Sequence, residues 1–332
     1  MSFVYGPVPS RRLGQSLGID PIPFKTCNYN CVYCQLGRTT PVTNERRDYF
    51  APSAIMSEVE GELERHEPGE IDFVTFVGQG EPLLCAGLGK LIRSVKVLTD
   101  IPVAVITNGS LLYLPGIREE LQIADVVIPT LDAADEETFQ RLNRPWSSLR
   151  IDRIVAGLEA FRTAFSGQLW VEVMLLRGLN DREQVLQTLA EACERIRPDR
   201  IQLNVPIRPP AEEWVEPTNS DGLLRAMTIL GDVAEVVPPA EGMFNIVGRD
   251  SLVEGIVDIL RRHPMREREL QRTLGQLPID GQERTLEALK EHDLVRRRIY
   301  KGAVFWTYSK SRMGSEVGRA KRRGSSAMQL AH

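Results

Sequence analysis

The sequence predicts an α/β protein with a parallel sheet, followed by a smaller C-terminal module. Between residues 17 and 238, short apolar runs alternate with amphipathic segments. Strands that alternate with helices form parallel sheets joined by right-handed crossovers. Residues 252–308 have a different pattern, with three helical segments before a hairpin. A length of 332 residues agrees with two domains.

Six strands and four helices are predicted in the larger part of the chain. The strands are short apolar runs bounded by turn residues, and they span 17–20, 73–77, 103–107, 126–128, 170–175 and 201–205. The helices have apolar residues three and four positions apart, and Ser53 and Asp181 are the expected N-caps of two of them. They span 53–66, 88–98, 151–165 and 181–196.

The C-terminal module is predicted to be winged-helix-like. Helices are expected over 252–262, 266–274 and 282–292, and two strands over 294–300 and 303–308 flank a turn at Lys301-Gly302. The last stretch is rich in Ser, Gly, Lys and Arg, which predicts disorder. We therefore expect a barrel domain over 1–240, the module over 250–308 and a basic disordered tail over 309–332.

Composition is that of a soluble globular protein, and it predicts a cytoplasmic location. No run approaches 18 consecutive apolar residues, so we expect no membrane span. The first residues lack a charged start followed by an apolar run, which argues against a secretory signal. Five cysteines, three of them clustered, do not form the pattern of a disulfide framework. A reducing compartment suits free thiols.

Charge is unevenly distributed along the chain. The whole chain has a net charge of −4, yet residues 250–332 contain 17 Lys and Arg against 11 Asp and Glu. The asymmetry predicts either a solvated basic tail or a C-terminal module that meets an anionic partner.

Three clustered cysteines, Cys27, Cys31 and Cys34, are the strongest chemical signal. Soft thiolate ligands select iron–sulfur clusters or zinc. Structural zinc usually takes four ligands in two separated pairs, and the distant Cys85 and Cys193 do not make a second pair. We therefore favour an iron–sulfur cluster, in which three ligands leave one iron of a cubane open. Zinc, or three unrelated core cysteines, is the alternative.

The spacing C-x3-C-x2-C, with Tyr33 before the last cysteine, resembles the signature of radical S-adenosylmethionine (radical SAM) enzymes. The resemblance implies a [4Fe–4S] cluster whose open iron is chelated by S-adenosylmethionine. One electron, from a donor such as flavodoxin or ferredoxin, would cleave that molecule to a 5′-deoxyadenosyl radical that takes hydrogen from a substrate. It also implies that Tyr33 lies against the adenine; core packing is the alternative for this side chain.

The resemblance also implies the architecture, a partial (β/α)6 TIM-like barrel with the site at the carboxyl ends of the strands. Segments 5–14, 34–37 and 202–206 are similar to those of a group of mostly uncharacterised radical SAM proteins. The core of that group is similar to the wybutosine-type tRNA-modifying enzymes. This likeness covers residues 1 to about 240 and indicates the type of chemistry more closely than the substrate.

A glycine-rich segment, Gly78-Gln79-Gly80-Glu81-Pro82, closes the second predicted strand. Glycine lets a backbone approach a ligand closely. The resemblance implies that this segment receives the amino group of S-adenosylmethionine, although Gln79 stands where the family commonly has glycine. An ordinary strand-to-helix turn is the alternative.

Polar residues at strand ends are further candidates for cofactor contacts. They are Asn108, Asp132, Glu172 and Asn204. Polar groups inside a barrel need partners, and the resemblance implies ribose and methionine-carboxylate contacts among these four. A satisfied structural polar group is the alternative for each.

Three arginines flank the predicted barrel strands: Arg11, Arg12 and Arg208. Arginine suits bidentate capture of an anion. We expect a structural carboxylate as the partner; substrate or the carboxylate of S-adenosylmethionine is the alternative.

The predicted hairpin of the module is basic, with Arg296, Arg297, Arg298 and Lys301 beside Tyr300 and Trp306. Nucleic-acid phosphates are one natural partner for such a strand. Dimerisation, or packing of the module on the barrel, is the other interpretation, and the predicted recognition helix has few basic residues.

The sequence thus predicts a radical SAM enzyme that acts on an unidentified substrate, with RNA or protein modification favoured. A DNA-binding iron–sulfur sensor and a glycyl-radical activase are the alternatives. A sensor has no need for Gly80-Glu81-Pro82 or for a whole barrel.

Overall fold

The computed structural model describes residues 2–238, 244, 251–275 and 277–309. Its larger part is an eight-stranded sheet in which the strands lie side by side in chain order. The strands are β1 Val4–Ser10, β2 Gly14–Ile19, β3 Phe73–Phe76, β4 Val103–Thr107, β5 Val126–Pro129, β6 Gln168–Met174, β7 Arg200–Asn204 and β8 Ala234–Val236. Strands β2 to β8 are parallel, and β1 pairs with β2 in the antiparallel sense.

Helices connect the parallel strands. They are α1 Pro52–Leu63, α2 Leu88–Leu98, α3 Pro115–Leu121, α4 Glu136–Asn143, α5 Ile151–Ala164, α6 Glu183–Ile196 and α7 Ser220–Leu230. In α5, Ile154, Leu158 and Phe161 are buried at helical spacing, which is why this segment packs one face on the sheet. The predicted α/β fold with a parallel sheet is confirmed. No described helix is long and apolar enough to cross a membrane.

The sheet has two strands more than the sequence predicted. Strand β1 contains Pro7 and Pro9, which argue against a strand, but it lies at the edge of the sheet, where proline is tolerated. Strand β8 has three residues, of which only Ala234 is buried, so it gives almost no apolar signal. In the described chain β8 does not pair back to β1, and the barrel is therefore partial.

Both predicted N-caps were wrong. Helix α1 is preceded by Ala51 and begins with Pro52, whose fixed φ suits the first turn. The N-cap of α6 is Arg182, without a side-chain hydrogen bond. Asp181 instead accepts hydrogen bonds from the backbone N–H of Gly178 and the hydroxyl of Thr218, both at 2.7 Å.

The C-terminal module contains the predicted helices and hairpin and one further strand. Its elements are α8 Leu252–Arg262, β9 Met265–Arg266, α9 Glu267–Leu274, α10 Ile279–Glu291, β10 Val295–Tyr300 and β11 Ala303–Tyr308. The strands form a sheet in the order β10-β11-β9. The winged-helix interpretation and the domain boundaries stay predictions. The expected disordered tail lies outside the described residues, apart from Ser309.

The module packs directly on the barrel. One buried apolar cluster joins Tyr5 and Val8 of β1 to Ile256, Leu260 and Trp306 of the module. Trp306 is fully buried in that cluster and so does not project from the hairpin.

Candidate functional site

A cavity of about 330 Å³ lies at the carboxyl ends of the parallel strands. Its walls come from the loop after β2, the turn after β3, the β1–β2 turn, strand β6, the segment after β7 and the C-terminal module. Seven of the predicted site residues line it: Cys27, Cys31, Tyr33, Cys34, Gly78, Gly80 and Glu172. The other five, Glu81, Pro82, Asn108, Asp132 and Asn204, lie outside the lining.

Two successive turns fold the cysteine loop. The backbone N–H of Cys34 donates to the carbonyl of Cys31 at 3.1 Å, and that of Gly37 donates to the carbonyl of Cys34 at 3.0 Å. All three cysteines of the loop are free thiols and partly buried. The turns explain how three residues close in sequence turn their side chains into one cavity.

Each of the three sulfurs accepts a hydrogen bond from nitrogen. The donors are the backbone N–H of Tyr29 to Cys27 at 3.4 Å, the Asn143 amide to Cys31 at 3.5 Å and the Lys25 ammonium to Cys34 at 3.3 Å. Hydrogen bonds of this kind favour a thiolate over a thiol. Neither Lys25 nor Asn143 was among the site residues predicted from the sequence. Lys25 stands beside the motif, whereas Asn143 comes from a distant helix and gives no sequence signal.

Burial works against free thiolates in this loop. Burial, together with the charges of Glu81 and Cys34, raises the pKa of Cys27 to about 12. The pKa of Cys31 is raised well above its usual range by burial and then by the charge of Cys27. A bound metal centre deprotonates its cysteine ligands. The donor set therefore fits a metal centre better than a free cysteine nucleophile.

The geometry of the sulfurs bears on the kind of centre. Within the described chain, no group of three or more His, Cys, Asp or Glu side chains is arranged as a metal-ion site. A [4Fe–4S] cluster does not need its three cysteine sulfurs to converge on one ion, because each thiolate binds a different iron of an extended core.

Gly80 places the glycine-rich turn directly against the cysteine loop. The backbone N–H of Glu81 donates to the carbonyl of Thr26 at 2.9 Å, and that of Lys25 donates to the carbonyl of Gln79 at 2.8 Å. A Cβ added to Gly80 would lie 1.8 Å from the Thr26 oxygen. Only glycine allows this approach, so the segment is more than an ordinary turn: it holds the loop that carries Cys27.

Glu81 is a buried connector between two strand ends. One carboxylate oxygen accepts hydrogen bonds from the Leu83 backbone and the Thr107 hydroxyl at 3.0 and 2.5 Å, and the other accepts from the Asn108 backbone at 2.7 Å. Burial raises the pKa of Glu81 to about 7, against the effect of these hydrogen bonds. Pro82 begins the short 3-10 turn that follows.

Asp132 supports the cysteine loop from beneath. One of its oxygens accepts hydrogen bonds from the Tyr33 hydroxyl at 2.5 Å and from the Asn143 amide at 2.7 Å; the other accepts from the Met174 backbone at 2.8 Å. Burial raises the pKa of Asp132 to about 6. Because Asn143 also contacts Cys31, Asp132 connects Tyr33 and one cysteine sulfur to the end of β5.

Asn108 and Asn204 differ in how well their amides are satisfied. The Asn108 amide donates to the Asn28 side chain at 2.7 Å and lies 3.9 Å from the Cys27 sulfur, so it braces the cysteine loop. Both amide atoms of Asn204 are buried without a hydrogen-bond partner among the described residues, as is the side-chain oxygen of Gln79. Unmet buried polar atoms of this kind fit a site that binds a polar group.

The three arginines all line the cavity, but only one has the expected carboxylate. Arg12 forms an ion pair with Glu172. Arg208 donates to the carbonyl of Pro264 at 3.0 Å and to the side-chain oxygen of Gln35 at 3.4 Å. Among the described residues, neither Arg208 nor Arg11 has an ion-pair partner.

Residues of the basic strand β10 contact both the C-terminal module and the barrel. Arg297 pairs with Glu267 at 3.4 Å and lies 5.5 Å from the centre of the Trp306 ring. The Tyr300 hydroxyl donates to the carbonyl of Pro206 at 3.4 Å. Both aromatic residues are thus engaged within the molecule, which favours the interpretation that the module packs on the barrel.

Comparison with known proteins agrees with this site. Residues 22–191, which include all three cysteines, match the family model of the radical SAM superfamily. A UPF0026 protein of Methanocaldococcus jannaschii is 36% identical over 280 residues, which is 83% of this chain and 87% of that protein.

A protein of Brachyspira hyodysenteriae named GTPase Obg is 40% identical over 268 residues, 79% of this chain, and the match spans 38% of that protein's length. A solved structure of TYW1 with a lysine-pyruvate adduct bound is 20% identical; the match covers 65% of this chain and 72% of that one, with a TM-score of 0.50, and shows a similar fold. The chain therefore belongs to the radical SAM superfamily, whose enzymes use a [4Fe–4S] cluster and S-adenosylmethionine.

Proposed function

We propose that Cys27, Cys31 and Cys34 hold a [4Fe–4S] cluster and that S-adenosylmethionine binds beside it in the adjoining cavity. The observation that carries this proposal is that all three cysteines line one cavity together with Gly78 and Gly80. When bound, the two cofactors supply reductive cleavage of S-adenosylmethionine to methionine and a 5′-deoxyadenosyl radical, which takes hydrogen from a substrate.

The residues around the cavity divide into those that touch the cofactor and those that support them. We propose that Tyr33 lies along the adenine and that the backbone of the glycine-rich turn receives the amino group. Support for Tyr33 is that Asp132 fixes its hydroxyl at 2.5 Å. For Glu81, Asp132 and Asn108 we propose an indirect role, because their side chains form hydrogen bonds with protein groups. These bonds stabilise the turns that carry the cofactor contacts.

Glu172 is proposed as a direct polar contact, because it lines the cavity beside Met174. Asn204 lies outside the cavity lining, but its buried amide has unmet hydrogen-bonding capacity among the described residues. Because burial of an unpaired amide is costly, we propose that Asn204 belongs to the cofactor site from behind the cavity wall.

The remaining partners are proposed from the chemistry of the superfamily. A one-electron donor such as flavodoxin or ferredoxin reduces the cluster, and the three free thiols suit the reducing cytoplasm. RNA or protein modification is the proposed class of reaction. Arg297, Arg298 and Lys301 are exposed cations of the hairpin that such a substrate could meet, although Arg297 is paired with Glu267.

An anaerobic cleavage assay tests the proposed function. The full chain is reconstituted with iron and sulfide, reduced with dithionite and mixed with S-adenosylmethionine, and 5′-deoxyadenosine is measured. Cys31→Ala is expected to lose the product and the cluster absorbance. Cys193→Ala is the matched control, because that thiol is buried on α6 away from the cavity.

The proposal fails if the wild-type cluster forms and no 5′-deoxyadenosine appears, even after cell extract is added as a source of substrate. Product formation by Cys31→Ala at the wild-type rate would equally exclude the assigned ligands.

A further inference from the structure

The cavity contains more positive charge than its own residues neutralise. Its charged lining consists of Arg11, Arg12, Lys25 and Arg208 against one carboxylate, Glu172. Arg12 takes that carboxylate in an ion pair. Lys25 donates to the sulfur of Cys34 and to the carbonyl of Gly37, so it belongs to the cysteine loop. Two guanidinium groups remain.

Arg11 is the less satisfied of the two. It is partly buried, and within the described chain it has neither an ion pair nor a side-chain hydrogen bond. Burial lowers its pKa. Its charge also lowers the pKa of Arg12, Arg208 and His263, so it lies close to all three. Glu269 of the C-terminal module raises the pKa of Arg208, but among the described residues it forms no ion pair with it. A desolvated cation beside other cations is unfavourable unless an anion joins them.

Arg208 is held rigidly, with part of its guanidinium free. Its Nε donates to the Pro264 carbonyl of the C-terminal module, and its Nη1 points to Gln35 of the cysteine loop. These two bonds fix the plane of the group, and its second amino group has no partner among the described residues. A guanidinium with a fixed plane and a free edge is prepared for a planar or tetrahedral oxyanion.

His263 adds an unused polar atom at the same place. This side chain lines the cavity, and its Nδ1 is buried with no hydrogen-bond partner in the described part of the chain. Burial and the nearby arginines lower the pKa of His263 to about 3, so its ring is neutral at physiological pH. A neutral imidazole can donate one hydrogen bond without adding charge to the cluster.

The cofactors bring little net negative charge to the cavity. S-adenosylmethionine carries a sulfonium and an ammonium against one carboxylate, so its net charge is positive. The charge of three cysteine thiolates would be matched by the irons of an oxidised cluster and by Lys25. Two sources of a negative group remain: a second ligand in the cavity, and the carboxylate of S-adenosylmethionine itself.

We propose that the substrate carries an oxyanion, a phosphate or a carboxylate, that binds between Arg11 and Arg208 beside His263. This inference rests on the proposed function and assigns the chemistry of its substrate. The site lies where the C-terminal module meets the barrel, so the module forms part of the substrate pocket.

Thermal unfolding with simple oxyanions tests the inference without turnover. The reconstituted full chain is unfolded with added inorganic phosphate, pyrophosphate or malonate, against chloride at equal ionic strength. At ten times the dissociation constant, the preferred anion is expected to raise the wild-type Tm by about 2 °C. Phosphate and pyrophosphate against malonate separate a phosphate-bearing from a carboxylate-bearing substrate.

Single substitutions test whether the anion that raises the Tm binds at Arg11 and Arg208. Arg11→Gln and Arg208→Gln are expected to abolish the shift, whereas Arg93→Gln, an exposed arginine of α2, is expected to retain it. Without added anion, Arg11→Gln is expected to melt at the same temperature as wild type or higher, because it removes an uncompensated charge. A purely structural arginine would give a lower Tm instead.

Binding of S-adenosylmethionine separates the two possible sources of a carboxylate. The dissociation constant of S-adenosylmethionine is expected to stay within about twofold of wild type in Arg11→Gln and Arg208→Gln, because neither arginine contacts this molecule in the proposal. Loss of a direct contact worth about 1.4 kcal/mol would weaken binding tenfold. A tenfold loss of affinity for S-adenosylmethionine, or an anion shift that is equal in all variants, overturns the inference.

Failure of the inference is distinguishable from failure of the proposed function. If wild type forms 5′-deoxyadenosine but shows no anion shift, the inference alone is wrong. If the anion shift depends on Arg11 and Arg208 while no 5′-deoxyadenosine forms under any condition, the oxyanion site stands and the proposed function is wrong.

Discussion

Single residues of this enzyme are constrained by contacts between distant segments. Gly80 is glycine because the carbonyl of Thr26 occupies the space of a Cβ. Gln79 departs from the glycine that is common in the superfamily because its amide donates to Asp20 at 2.5 Å. Both contacts join the turn after β3 to the end of β2 and the loop beyond it, and they hold the cysteine loop in place.

Gly80→Ala is expected to displace Thr26 and with it Cys27. Overpacking of this kind costs about 1–3 kcal/mol, and the iron content after reconstitution should fall along with the Tm. Gly116→Ala is the matched control, because a Cβ there meets no atom within 4 Å, and it should leave both quantities unchanged or slightly raised. Normal iron content in Gly80→Ala would show that the loop tolerates the shift.

Asp132→Asn is expected to loosen Tyr33 and Asn143. The substitution places an amide donor opposite groups that now donate to a carboxylate, and buried mismatches of this kind cost about 1–3 kcal/mol. Chemical denaturation should show that loss, and S-adenosylmethionine should bind more weakly because Tyr33 is less ordered. Asp152→Asn on the exposed face of α5 is the control; equal stability of the two variants would refute the supporting role.

At the scale of elements, the connection between α8 and β9 places the imidazole of His263 near β1 of the barrel. His263 follows the last turn of α8, where its backbone N–H donates to the carbonyl of Ile259 at 2.7 Å. Its ring lies 6.3 Å from those of Tyr5 and Phe244. A short, buried connection between two elements thus determines the protonation of this side chain.

The contribution of His263 to stability is expected to fall as the pH is lowered from 7 to 5. Glu81 and Asp132 contribute in the opposite sense over this range, because burial raises the pKa of Glu81 to about 7 and that of Asp132 to about 6. Burial lowers the pKa of His263 to about 3 in the folded chain, whereas an unfolded histidine titrates near pH 6.5. Below that pH the unfolded state binds the extra proton, so unfolding becomes easier by at most about 2 kcal/mol at pH 5. The measurement is urea denaturation in buffers without phosphate.

Relative to wild type, His263→Gln should gain up to about 2 kcal/mol of stability between pH 7 and pH 5, and His66→Gln on the barrel surface should follow wild type. A wild-type dependence that survives His263→Gln unchanged would assign the effect to other groups.

At the scale of the whole molecule, one buried ion pair joins the module to the barrel. The Arg262 and Asp20 side chains are 4% and 2% exposed, with 3.3 Å between Nε and the carboxylate. Arg262 also donates to the carbonyl of Ser2 at 2.8 Å and lies over the Tyr5 ring. Since Asp20 also holds Gln79, docking of the module is connected to the turn that lines the cavity.

Arg262→Met is expected to cost about 3–5 kcal/mol, because it leaves the buried carboxylate of Asp20 without a counter-charge. Urea denaturation measures the loss, and limited proteolysis should cut the module first. The double variant Asp20→Asn/Arg262→Met should recover part of the stability. Arg65→Met breaks only an exposed pair with Glu62 and should change stability by less than about 1 kcal/mol. An equal loss of stability in Arg262→Met and Arg65→Met would contradict the coupling between the module and the barrel.

The sequence predicted the helices and strands whose apolar residues repeat at a regular spacing. Helices α2 and α8 and strands β4 and β11 fall where apolar periodicity put them, since buried faces repeat with the period of the element. Short edge strands such as β8 were missed, because three residues with one buried side chain have no measurable period.

The sequence by itself determined the chemistry, and the tertiary structure decided which residues serve it. Three closely spaced cysteines predict a soft metal centre from the sequence alone. The partners of Arg208 and Asp132 are groups that meet only after folding, such as the Gln35 side chain for Arg208 and the Tyr33 hydroxyl for Asp132, which are 173 and 99 residues away in the sequence. Spacing along a chain contains no information about such distances, so only the folded molecule shows that the module completes the cavity.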